Sequence, residues 1–164
     1  MVCRGFFNLF TIYNCFYYTI CIISLCTLNR NCILIRDSFD CSTNEKDRLT
    51  FVGKLLEKKD DSKFVFAFKV EEQIMRMEII FNENLCEIHQ KYPDSSAKIV
   101  LNLINDGYYR LELANGYSLT FITKTSFIKY DDFNIELKYN LFDGNSNQII
   151  SVNEIKIMGD DKIC

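Results

Sequence analysis

Between Phe64 and Ile80 the chain keeps a period of two. Phe64, Phe66 and Phe68 alternate with Val65, Ala67 and Lys69, and Met75, Met77 and Ile79 alternate with Arg76, Glu78 and Ile80. Successive side chains of an extended strand point to opposite faces, so this spacing predicts strands with one face buried. Further runs of β-forming residues cover Ile99 to Leu103, Tyr108 to Leu113, Ser118 to Thr123, Phe133 to Tyr139 and Ile149 to Met158. The residues between them suit turns: Asp60-Asp61-Ser62, Tyr92-Pro93-Asp94, Asn105-Asp106-Gly107, Asn115-Gly116 and Asp143-Gly144-Asn145. Asp-Gly and Asn-Gly are strong hairpin signals because these residues accept a positive φ. Seven or more short strands, with no long amphipathic helix and no alternation of strands with helices, predict an all-β, antiparallel sandwich or barrel.

The 164 residues suffice for one ordinary domain. With 48% hydrophobic and 25% charged residues, the chain has the composition of a folded globular protein. Lys and Arg number 19 against 22 Asp and Glu, a formal net charge of -3. That balance offers no grip on a phosphate backbone, so no nucleic-acid partner is expected.

Residues 5–28 carry no charge and follow Arg4. About 20 apolar residues span a bilayer, so residues 1–28 are expected to be a signal peptide or a signal anchor, placing the protein outside the cell or on its surface. Ser24-Leu25-Cys26 suits signal peptidase, whereas Asn8 and Asn14 make the stretch less apolar than a durable anchor. Contact with a membrane is expected only through this segment, if it is uncleaved. Residues 29–48 are expected to be a linker and residues 49–164 the domain. Beyond the segment stand Cys32, Cys41, Cys86 and Cys164. In an oxidising compartment these four can form two disulfides in any of three pairings.

Enzyme signatures are missing. The chain has no Gly-x-Gly-x-x-Gly, no Walker-type loop and no His-Glu-x-x-His, and its cysteines lack zinc spacing. The single His89 follows Cys86 by three residues, which on a strand puts the two on opposite faces. Glu71-Glu72 and Asp131-Asp132 sit beside turns as solvated charge. No catalytic residue, metal ligand or cofactor is expected.

From about Phe51 to Cys164 the order of strands resembles a galectin-type carbohydrate-recognition domain. Gly53 followed by Phe64 to Lys69 is similar to that family's opening strands. Met77 to Asn84 resembles the strand ending in His-x-Asn-Pro-Arg, and Ile99 to Asn102 resembles the strand carrying its second Asn. Tyr109 and Glu112 keep the spacing of its Trp-x-x-Glu. Phe133 to Leu137 and Ile149 to Asp160 are similar to its last strands. The resemblance implies a galectin-like jelly-roll sandwich, a glycan such as a β-galactoside as partner, and a possible homodimer. It also implies a sugar site at Asn82, Asn84, Asn102, Tyr109 and Glu112. Departures from the family bear on function: Ile80 takes the place of the His, Asn84 of the first Arg, Tyr109 of the Trp and Ala114 of the second Arg. A hydrogen bond left unmade in such a site is costly, so the resemblance implies a degenerate lectin module. The alternative is a sandwich without sugar binding that serves in protein interaction or structure.

Overall fold

The computed structural model describes residues 30–132 and 134–159. Ten strands make it up: β1 (Arg30–Asp40), β2 (Glu45–Lys59), β3 (Lys63–Val70), β4 (Gln73–Asn82), β5 (Leu85–Lys91), β6 (Ser95–Asn102), β7 (Gly107–Leu113), β8 (Ser118–Asp131), β9 (Asn134–Phe142) and β10 (Ile149–Gly159). Among the described residues there is no helix. The targeting segment expected at residues 1–28 lies outside them, as does Cys164.

Every strand pairs antiparallel with its neighbours in sequence, and β1 closes the ring by pairing with β10. Cys32 has Gly53 on one side and Gly159 on the other. The architecture is therefore a closed ten-stranded barrel, which corrects the expectation of a galectin-like jelly-roll sandwich. A sandwich and a barrel share the same alternation of inward and outward residues. What separates them is whether the outermost strands find each other. Here the closing strand is β1, in the stretch 29–48 that was read as a linker.

The turns follow from their residues. Asn44, Asp60, Asp132 and Asn147 adopt positive φ values of 52–59°, and Gly116 reaches 82°. Asn and Asp tolerate this conformation better than most side chains.

Inward-facing side chains fill one end of the barrel. Phe64, Phe66 and Phe68 of β3 are fully buried, with ring centroids 6.3 and 5.7 Å apart. Phe81 meets Phe64 edge-on, and Tyr130 stacks on Phe81 at 3.9 Å. Asp132, in the β8–β9 turn, then ties this end together. It bonds Arg30 at 3.2 Å and Lys58 at 2.9 Å. The opposite end, where β1 turns into β2 and β7 into β8, is different. Leu49, Leu113 and Leu119 occupy inward register positions there, yet remain 43, 39 and 37% exposed. One end is closed and the other open.

Candidate functional site

The open half of the barrel has a polar interior, unlike the closed half. In β1 the inward series Cys32, Leu34 continues with Arg36 and Ser38. Arg36 stands opposite Leu49 on one side and the buried Ile155 on the other. β9 contributes Tyr139, buried and opposite Asn153 of β10. Tyr109 of β7 lies opposite the buried Ile99, so it too points inward, half-buried against the core and 6.1 Å from the ring of Phe121. Gln90 faces Met77 and Ala97, is buried, and its amide nitrogen has no hydrogen-bond partner among the described residues.

Arg36 is the centre of this layer. It makes no hydrogen bond or ion pair with another described residue. Arg36 lines a cavity of about 40 Å³ together with Asp37, Ser38, Leu49, Tyr139, Asn153, Glu154 and Ile155; of its two acids, Asp37 is paired with Arg48 and Glu154 with Lys138 and Lys156. A space of that size is larger than one water needs. Burial pushes the Tyr139 phenol up to about 12, while the Arg36 guanidinium offsets part of the rise. Tyr109 is also raised, again by burial first and with Arg36 opposing. Both phenols therefore stay protonated at neutral pH, available as donors beside a fixed cation.

The residues expected to bind sugar are placed otherwise. Asn82 ends β4 and Asn102 ends β6; both lie opposite Leu85 at the closed end, at outward positions. Asn84 occupies the β4–β5 turn and is exposed. The Asn102 carboxamide oxygen is taken up by the amides of Ile104 and Asn105 at 2.8 and 3.0 Å. Glu112 is outward at the open end, pairing with Arg110 at 2.9 Å. The structure brings Asn82, Asn84 and Asn102 to one end and keeps Glu112 at the other, while Tyr109 points inside. His89 and Cys86 do fall on opposite faces of β5, the cysteine buried and the histidine bonded to Glu87 at 3.2 Å. Among the described residues no group of His, Cys, Asp and Glu could hold a metal ion, and Cys41 and Cys86 form no disulfide.

Sequence reasoning missed Arg36. The signal that could have found it was Cys32, Leu34, Arg36, Ser38, an alternation that turns polar halfway along.

No protein-family model matches the chain, and no curated protein matches it in sequence. The barrel is similar to the crystal structure of the YwiB protein from Bacillus subtilis, with a TM-score of 0.59 at 13% identity. That similarity covers 80% of this chain and 93% of the other, and at this identity it is a likeness of fold.

Proposed function

We propose that the protein is a binding module that takes the anionic head of a small amphipathic molecule into the open end of the barrel. The observation that carries this reading is the inward-facing Arg36, without an ionic partner among the described residues, beside a cavity it shares with Tyr139. A cation removed from water is costly unless an anion meets it, and a carboxylate fits the planar donor fork of arginine. The phenols of Tyr109 and Tyr139 add neutral donors nearby. The exposed inward leucines Leu49, Leu113 and Leu119 would cover an apolar body that leads out of the mouth. The cavity admits only a head group, so the rest of the ligand would lie at the rim.

Calorimetric titration with decanoate and with decanol tests the reading. Decanoate should bind at least tenfold more tightly than decanol, and Arg36→Met should abolish the difference. Equal binding of decanoate by both proteins overturns it. Lactose binding that Arg36→Met leaves untouched would favour the glycan reading instead.

A further inference from the structure

A row of cations crosses the outside of the barrel. Asn31 of β1 stands opposite Lys54 of β2, Lys54 opposite Ala67, Ala67 opposite Arg76, and Arg76 opposite Lys91. Their neighbours along the strands, among them Cys32, Leu55, Phe66, Met75 and Gln90, are buried, so the row itself points outward. Two residues along each strand, the next outward row places Ile33 opposite Val52 and Lys69 opposite Ile74. Lys54, Lys69, Arg76 and Lys91 are exposed, and none makes an ion pair with another described residue. Val52 and Ile74 are 65 and 60% exposed. Of the acids around them, Glu78 is tied to Lys63 and Glu87 to Lys98. Glu57, opposite Val65, and Glu71 and Glu72, in the β3–β4 turn, flank the two rows.

The chain enters the barrel at this face. Residues 5–28 are uncharged and end three residues before Asn31, a separation that extended chain spans in about 11 Å at most. A stretch long enough to enter a bilayer thus joins the barrel at one end of the cationic row. Near anionic headgroups each Lys or Arg strengthens binding roughly fivefold, and apolar side chains among them sink into the interface. A soluble polyanion would engage the cations and leave Val52 and Ile74 in water, whereas a bilayer takes up both. We propose that the outer face of β1 to β5 lies on an anionic membrane surface, with Lys54, Lys69, Arg76 and Lys91 at the lipid phosphates and Val52 and Ile74 below them. This contact is separate from any that residues 5–28 make.

The chain contains no tryptophan. Val52→Trp or Ile74→Trp in the full-length protein therefore places a single reporter in the face, and Phe127→Trp places one on the outside of β8, across the barrel. Each is mixed with phosphatidylcholine vesicles that contain or lack phosphatidylserine, with brominated acyl chains as quenchers. Emission of Val52→Trp and Ile74→Trp should move to the blue and be quenched when phosphatidylserine is present, while Phe127→Trp stays unchanged. Adding Lys54→Glu, Arg76→Glu and Lys91→Glu to Val52→Trp should abolish the response even where residues 5–28 hold the chain on the vesicle, with circular dichroism verifying its strand content. No response at Val52→Trp, an equal response at Phe127→Trp, or a response that survives the three reversals each overturns the proposal. A blue shift without vesicles that grows with protein concentration also overturns it, and assigns the face to a second copy of the chain.

Discussion

Arg36 and Tyr139 set the chemistry of the interior at the scale of single residues. A lone cation in the barrel opposes folding, and methionine of similar length would remove that cost while keeping apolar contact. Arg36→Met is expected to stabilise the protein by about 1 kcal/mol, seen as a melting temperature higher by roughly 3–5 °C, even as it abolishes preference for an anion. Unchanged or lower melting would mean that the guanidinium already has adequate solvation. Tyr139 supplies a titration. Its phenol is raised from 10.0 to about 12 by burial. Between those values the unfolded chain has released the proton and the folded chain retains it, so the folded state binds more protons. Stability is then fully present below the ordinary phenol range and falls as pH climbs from 10 toward 12. Urea unfolding across this interval should show that slope, and Tyr139→Phe should flatten it. Gly107 is fixed by space alone, since a Cβ there would collide with the Val100 carbonyl and the Thr123 hydroxyl. Its neighbour Thr123 donates to that same carbonyl at 2.7 Å.

Strands differ in how clearly the sequence shows them. β3 and β4 are legible because their inward positions are all large and apolar, the condition under which a period of two is unambiguous. The turn residues Asp60, Asn115 and Asp143 mark boundaries equally well, since a positive φ or a side-chain bond to the backbone restricts the choice of residue. β1 and the first half of β2 are obscure for the opposite reason. Inward Arg36 and Ser38 break the apolar series, and Glu45 to Thr50 face solvent on both sides, so neither pattern announces a strand. β5 hides behind Glu87, His89 and Lys91, although Cys86, Ile88 and Gln90 fill its inner face. The candidate sugar residues went astray through facing. Tyr109 is at an odd position and Asn102, Glu112 and Asn82 at even ones, but whether such residues share a face depends on register, which no single strand contains. For β3 itself, Phe66 lies between two other buried rings and Met77 opposite. Phe66→Ala should cost about 3–5 kcal/mol in chemical denaturation, because a cavity would open in the closed end. A cost below about 1 kcal/mol would show that this end is loosely packed.

Closure is a property of the whole molecule, and it explains why the strand pattern, taken one strand at a time, passes for a sandwich. The first and last described strands meet, with nine residue pairs from Cys32 opposite Gly159 to Asp40 opposite Ser151. Such contacts between remote parts of the chain are entropically expensive to form and contribute nothing until the rest is in place. They also remove the two edges that an open sheet would leave, apart from the first half of β2. Ile155 and Ile157 of β10 are buried in the core, so the last strand supplies apolar surface as well as hydrogen bonds. Deleting the chain from Ile149 onward should therefore not leave a stable nine-stranded sheet. It would expose the backbone of β1 and β9 and uncover Leu34 and Leu137, which lie beside Ile157 and Ile155. The truncated protein is expected to lose its cooperative urea transition. Cys86, buried on the far side of the ring, reports the same event. Burial raises its thiol above the ordinary range. In the full chain, a thiol reagent should modify the exposed Cys41 at once and Cys86 only on the timescale of unfolding. After truncation, Cys86 should react as fast as Cys41. A truncated protein that keeps a sharp transition and a protected Cys86 would show that the remaining strands hold together without the closing pair.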